Sequence, residues 1–410
     1  MRQPCTPSTR LPRPWRALGA LLLATGLVGA CGGGGGDTGV GSGGTGSPLS
    51  FSQGPITGFG SIVVNGVHFD DAPASVMDDD GNALSNTAAL RLGTVVDVQG
   101  GAIVDNATRA SAIRVRVALH GPVSAAYDAT TRRLAVLGQP LAVVATTALG
   151  GIAGGAAAIA AGSVVAVSAL YDQASGVYVA TRIDPVAAAG HYAIRGAVGA
   201  VDTVAHTFTI GASTFDYGSV ALPASFGAGQ LVRAVLATTP ASSGHWVVTA
   251  FGQALAALED GRRGGLRGVV DSATDATHFV VAGLPVDASG ATVAPAGASI
   301  AVRSRVEVQG TVVGGVLVAS AVRVDARDDD DEGGGGSDGG EVEIAGAILG
   351  AVDGVAHTFT MRGPTTVNYA SATFSDGTAS DLATGVLVEV RGSLSADGTQ
   401  VIATRVRIRH

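Results

Sequence analysis

The chain has 410 residues, 62 of them Gly, with 46% apolar, 4% aromatic and 14% charged residues and a net charge of −8. Gly at about twice its usual share but without a three-residue period excludes collagen. The apolar content excludes a disordered polyampholyte, and two cysteines exclude a disulfide scaffold.

Residues 1–30 read as an export signal. Arg2, Arg10, Arg13 and Arg16 form a basic flank with no acid, followed by a short apolar run over 17–28. Positive charge, a short apolar core and small residues mark export, and the run is too short to cross a bilayer. Its ending, Val28-Gly29-Ala30-Cys31, resembles the lipobox of bacterial lipoproteins. That resemblance implies cleavage before Cys31, a diacylglycerol on its thiol and a palmitate-type acyl chain on its new amino group. Three chains give an effectively permanent anchor, since each buried CH₂ contributes ~0.8 kcal/mol. Gly32 follows the Cys, and resemblance to the enteric sorting rule points to the outer membrane, facing the periplasm or the surface. Residues 31–53 are then the lipidated Cys and a Gly/Ser-rich tether.

Losing residues 1–30 removes four arginines and no acid, which takes the net charge from −8 to −12. Cys5 leaves with the signal and lipid consumes Cys31. No thiol remains for a disulfide, a nucleophile or a metal. An acidic body also argues against nucleic acid, whose phosphates require a basic surface.

The remainder is a five-fold repeat of about 65 to 75 residues. The units are 54–118, 119–190, 191–262, 263–327 and 341–410, with an acidic/Gly linker at 328–340. Each opens on an alternating stretch around a Gly, such as Ile194-Arg195-Gly196-Ala197-Val198 or Leu266-Arg267-Gly268-Val269. A turn follows, expected at Asp128, Asp202, Asp271 and Asp353. Val204-Ala205-His206-Thr207-Phe208-Thr209-Ile210 and Val355-Ala356-His357-Thr358-Phe359-Thr360-Met361 read as the second strand in two units. A Gly-led alternating strand recurs as 93–100 and 385–392, and 305–310 matches it. Each unit closes on a strand such as Ala112-Ile113-Arg114-Val115 or Ala403-Thr404-Arg405-Val406.

Alternation of Val with charged or amide residues marks strands with one buried and one wet face. About five strands per unit, with a helical turn before the fourth as at 380–385, predict an all-β chain. The expected architecture is tandem small five-stranded barrel-like (OB-like) modules joined by short linkers, after a disordered Gly-rich tether. Separate beads are favoured over one merged β array, and the 328–340 linker predicts that unit five moves independently of unit four. The uncharged 134–171 stretch is too rich in Gly, Ala, Thr and Ser for a membrane span and reads as a buried connection.

The opening Ile56-Thr57-Gly58-Phe59-Gly60-Ser61-Ile62-Val63-Val64-Asn65-Gly66-Val67-His68-Phe69 and the later Leu92-Gly93-Thr94-Val95-Val96-Asp97-Val98-Gln99-Gly100 resemble a bacterial family catalogued as domain of unknown function 5666. The resemblance is strongest over 56–117, extends to units four and five, and is thinnest in unit two. It implies small β modules in exported proteins and lipoproteins, and it supplies no activity, because the family has none assigned.

Candidate chemistry is sparse. His206, His278 and His357 occupy matching positions, one per unit, whereas zinc needs three or four converging ligands. His68 lies beside Asp70 and Asp71. The run Asp78-Asp79-Asp80-Gly81-Asn82 lacks the register of a calcium loop and reads as a hairpin turn. Asp328 to Glu332 read as a solvated spacer. No nucleophile elbow is present, and no phosphate loop can form without Lys. Trp246, with Tyr171, Tyr178, Tyr192 and Tyr217 nearby, is a weak candidate glycan contact, and core or edge packing is the favoured reading of such residues.

No catalytic residue, cofactor or metal site is therefore assigned, and Cys31 is the one modification site. The expected function is non-enzymatic binding or scaffolding, with the membrane as one partner through the lipid and an envelope protein or glycan as the other. An envelope enzyme, or a metal- or glycan-binding protein, with its site between modules is the alternative. Convergence of three of His68, Asp70, Asp71 and Asp97 on one cleft would favour it.

Overall fold

A computed structural model describes residues 50–85, 89–172, 175–187, 189–223, 226–252, 260–324 and 341–409. The signal, Cys31, the tether as far as residue 49 and the 328–340 linker lie outside the described residues, while Ser50 to Gln53, expected at the end of the tether, open the first strand.

The first barrel is built from β1 (Ser50–Phe59), β2 (Ile62–Val64), β3 (Val67–Asp70), β4 (Ser75–Met77), β5 (Val95–Gly100) and β6 (Ala107–Arg116). β1 pairs antiparallel with β2 and β5, β2 with β3 and β5 with β6, while β3 runs parallel to β6. The circuit β1-β2-β3-β6-β5-β1 closes a five-stranded barrel of OB type, and β4 adds a short parallel pairing to β6. Closure leaves no long bare edge.

The second barrel repeats this circuit with β7 (Leu119–Asp128), β8 (Arg133–Val136), β9 (Gln139–Leu149), β10 (Val164–Asp172) and β11 (Val177–Pro185). The uncharged 134–171 stretch thus supplies its second to fourth strands. In the third barrel the first strand is broken into β12 (Tyr192–Ala197) and β13 (Val201–Asp202). β14 (Thr207–Ile210), β15 (Ser213–Asp216), β16 (Leu231–Leu236) and β17 (Trp246–Gly252) follow. The fourth has β18 (Arg263–Ala273), β19 (His278–Val281), β20 (Leu284–Asp287), β21 (Thr292–Ala294), β22 (Arg305–Val313) and β23 (Val316–Val324). The fifth has β24 (Val342–Ala347), β25 (Thr358–Met361), β26 (Thr365–Asn368), β27 (Thr373–Ser375), β28 (Leu387–Leu394) and β29 (Val401–Arg409).

Local chemistry explains the repeat. Between the first two strands, Asp202 accepts the backbone N–H groups of Val204 and Ala205, and His206 takes φ +56°. Asp353, Val355, Ala356 and His357 (φ +53°) do the same, and Asp128 with Arg132 (φ +51°) is the counterpart in the second barrel. A side-chain oxygen capping N–H groups two and three residues on is what Asp offers a turn. Val204 and Val355 therefore sit at exposed tips rather than in strands. In the fourth barrel the turn Asp is not Asp271. β18 runs on to Ala273, so Asp275 caps the turn and Asp271 stays buried on the strand.

The Gly that ends the fourth strand's alternation has a steric reason. At Gly310 and Gly392 a β-bulge brings the last strand so close that a Cβ would overlap the carbonyl oxygen of Val318 or Ile402. The helical turn expected before the fourth strand is the 3₁₀ turn Ala379–Asp381. The Asp381 carboxylate there accepts the N–H (2.8 Å) and hydroxyl (2.9 Å) of Thr378.

The barrels are closed, but they are not separate beads. The N-terminal half of β1 pairs parallel with β18, and its C-terminal end pairs parallel with β24 at Gly58↔Glu343 and Phe59↔Ile344. β7 pairs antiparallel with β12. A Cβ at Gly264 would overlap the carbonyl of Phe51, and one at Gly58 that of Glu343. These glycines let the strands meet. The cores merge accordingly. Barrels one and five share one cluster, from Ile56, Phe59 and Phe69 to Phe359, Val390 and Ile408. Barrels two and three share a second, and Phe51 of β1 enters the core of barrel four. All five barrels accordingly belong to one compact unit, Ser47–His410. The expected independence of unit five from unit four fails: both pair with β1 of unit one, and the core of unit five is continuous with that of unit one.

Candidate functional site

The polar side chains that sequence left scattered meet where the first three barrels join. The Asp78–Asn82 run is a turn, but a directed one. Asp78 accepts the N–H groups of Asp80 and Asn82 at 2.9 and 2.8 Å, which ties off the loop. Asp79, 4% exposed at its side chain, then reaches into the seam. It accepts from Arg116 (3.1 Å), Arg195 (2.9 Å) and the Val117 N–H (3.0 Å), with Arg233 at 3.7 Å. Asp80 takes Arg233 at 2.7 Å and meets His191 at 3.1 Å. Arg116 also binds Asp97 through Nε and Nη2.

Three guanidiniums and three carboxylates thus balance in a network that is buried except at Asp80. Burial opposes the Asp79 charge, but Arg195, the Val117 N–H, Arg116 and Arg233 outweigh it and hold the carboxyl below its usual range. Arg116 is likewise buried, yet Asp97 and Asp79 raise its affinity for its proton.

Next to this network lies a cavity of about 80 Å³ lined by residues of barrels one to four, among them Arg116, Arg195, Tyr171, Tyr178, Val269 and Asp271. It is mostly apolar. That volume suits about two or three waters and falls far short of the roughly 300 Å³ of an ordinary ligand pocket. The Tyr178 hydroxyl donates to the Arg195 carbonyl at 2.7 Å, and its ring lies 4.5 Å from that of Tyr171. Asp271 accepts the Gly283 N–H at 2.9 Å. Burial pushes its carboxyl up to about 6, with a further push from Asp172.

The four residues named as a possible cleft do not converge. His68 meets Ser61 at 3.4 Å, and Asp70 meets Arg109 at 3.6 Å. Asp71 is buried against Arg362 of barrel five, whose guanidinium also lies 5.4 Å over Phe59. Asp97 belongs to the Arg116 network. The histidines expected to match also divide. His206 and His357 sit at the left-handed turn position, 5.4 Å from Tyr217 and 5.5 Å from Tyr369. His278 instead begins β19 and contacts Asp275 at 3.0 Å. Among the described residues, no group of three His, Cys, Asp or Glu side chains could hold a metal ion.

Trp246 does not head an exposed aromatic row. Tyr178 and Tyr217 are buried, and Trp246, Tyr171 and Tyr192 are half-buried against the same core. Trp246 packs edge-to-face on Tyr192 at 5.7 Å, Tyr192 meets His120 at 6.2 Å, and His120 meets His191 at 5.9 Å. Burial, His191 and Arg233 together lower the proton affinity of His120.

Asp79, Arg116, Arg195 and Arg233 were invisible as a group in the sequence. The available signal was compositional: every cation in the chain is Arg, the side chain suited to buried bidentate pairing.

No curated protein matches the chain. The sequence pattern of one family, described as a domain of unknown function (DUF5666), matches residues 53–114, 120–184, 267–323 and 345–407. The second unit, where the resemblance was thinnest by eye, is matched. The third is not, although β12–β17 keep the strand order of the other barrels. With four tandem matches covering more than half of its length, the chain belongs to this DUF5666 family.

Proposed function

We propose that the chain is a lipid-anchored protein of the bacterial cell envelope that works by non-catalytic binding, as a scaffold. Cys31 carries the lipid, and the Gly-rich tether sets the folded part off the outer membrane. One observation carries the binding reading: the ionisable side chains most suited to chemistry are consumed in holding barrels together. Asp79 joins Arg116 of barrel one to Arg195 of barrel three, Asp71 locks Arg362 of barrel five, and Asp97 holds Arg116 in place within barrel one. Side chains so engaged have little freedom to move protons or attack a substrate. The merged cores support a scaffold that presents its outer surfaces at fixed relative positions, rather than a string of modules acting through flexible avidity.

A glycan-binding reading has one observation in its favour, the half-buried Tyr192–Trp246 pair flanked by His120 and His191.

Anchoring is tested by feeding a bacterial host an alkyne-tagged fatty acid. The chain takes up label and fractionates with membrane, and Cys31→Ala loses both. A Cys31→Ala chain that still labels would overturn the anchor. Binding is tested by retaining solubilised envelope on the tagged chain, with an unrelated β protein as control. Reproducible retention of one protein or glycan is expected, and retention of nothing above control would overturn stable partner binding.

A further inference from the structure

The outer face of the fifth barrel differs from its counterparts in a way that the fold does not need. In three barrels the fourth and fifth strands carry an acid opposite an arginine: Asp97↔Arg114, Glu307↔Arg323 and Glu389↔Arg407. Two residues along, on the same outer face, the first and fourth barrels place an amide opposite a small residue, Gln99↔Ala112 and Gln309↔Ala321. The fifth barrel instead places Arg391 directly opposite Arg405. Like charges facing each other across a strand pair are destabilising.

The carboxylates nearby do not resolve this. Glu389 is held by Arg409 at 2.6 Å and lies 3.9 Å from Arg391, and Asp376 is held by Arg407 at 2.6 Å. Arg391 lies 3.4 Å from Glu343. Arg405 is exposed and has no hydrogen-bond or carboxylate partner among the described residues. Arg391, Arg405, Arg407 and Glu389 line a surface cavity of about 180 Å³. This face belongs to β28 and β29, away from the interior seam.

We propose that this cavity is a binding site for a phosphate-type oxyanion, held between the guanidiniums of Arg391 and Arg405. A tetrahedral anion bridging the two would convert their repulsion into two charge-assisted contacts, and the planar fork of Arg matches such oxygens in pairs. Glu389 bounds the site on one side and disfavours a bulky polyanion. The chemistry fits either a free phosphate group or the phosphate of a lipid headgroup.

The test uses the chain carrying Cys31→Ala, so that no attached lipid interferes. Inorganic phosphate is titrated at constant ionic strength, with chloride as balance, while arginine Nε–H resonances are followed. Saturable shifts are expected at Arg391 and Arg405. Arg405→Gln is expected to weaken binding at least ~10-fold, about 1.4 kcal/mol. Arg323→Gln in barrel four, the counterpart of Arg407, should leave it unchanged. Both substitutions lie on exposed strand faces, and a thermal melt checks that each variant folds. No saturation above chloride, or binding that survives both Arg405→Gln and Arg391→Gln, would overturn the site. Vesicles of phosphatidic acid and of phosphatidylcholine separate the two sources. Sedimentation with the former alone, lost in Arg405→Gln, assigns a headgroup. Phosphate binding without sedimentation assigns a soluble anion.

Discussion

Asp79 and Arg195, 116 residues apart in the chain, meet at 2.9 Å in the seam between the first and third barrels. The contact shows how the body is assembled: a loop of the first barrel delivers a carboxylate into a nest made by its own Arg116 and by Arg195 and Arg233 of the third. Removing it leaves buried guanidiniums uncompensated, which typically costs 3–5 kcal/mol. Asp79→Ala should therefore lower stability by about 3–5 kcal/mol, measured by urea unfolding. A loss under ~1 kcal/mol would mean that the network is not buried in solution.

The same carboxylate sets an acid limit. Its folded-state pKa lies below the ordinary value, so its contribution is present above pH ~4 and is lost as pH falls through the lower, folded-state value. Native chain should lose stability on acidification below pH ~4 more steeply than Asp79→Asn does. Unfolding midpoints at stepped pH values measure this.

Asp271 has the opposite sign. Its folded-state pKa is raised to about 6, so the folded chain holds a proton that the unfolded chain releases near pH 4. Stability therefore falls as pH rises from about 4 to 6 and stays reduced above that. Asp271→Asn can still accept the Gly283 N–H and has no charge to bury. It should match the native chain at pH 4 and exceed it at pH 8 by up to about 3 kcal/mol. Equal stability of the two chains at pH 8 would show that Asp271 is not desolvated.

Gly264 permits β1 to pair with β18. Gly264→Ala would drive a methyl into the Phe51 carbonyl and should cost roughly 1–3 kcal/mol. Gly290→Ala, in open space, should change stability by less than ~0.5 kcal/mol. Thermal melts of both variants decide it.

Much of the fold was legible because its signals are local. Period-2 alternation marked the strands, and Asp202 and Asp353 marked their turns; that the Gly at the end of the fourth strand sits at a bulge was not legible. Asp271 misled, because nothing in the sequence says that β18 runs further than its counterparts and moves the turn to Asp275. The joining of barrels was hidden for a related reason. Ser50 to Phe59 already pairs within its own barrel, and its second use by β18 and β24 depends on Gly58 and Gly264, which read as ordinary glycines. Asp79 looked like one acid in a turn run, since its three arginines come from strands far along the chain. Arg405 looked like any outward residue on a closing strand until the register placed Arg391 opposite it.

The most direct measurement concerns the shared core of barrels one and five. Ile408→Ala, deep in barrel five, removes core contacts worth about 2–5 kcal/mol. Amide hydrogen exchange should then speed up in β2, β3 and β5 of barrel one as well as in β25, β28 and β29, because a continuous core opens as one unit. Faster exchange confined to barrel five, with barrel one protected as before, would contradict a merged body and restore five independent beads.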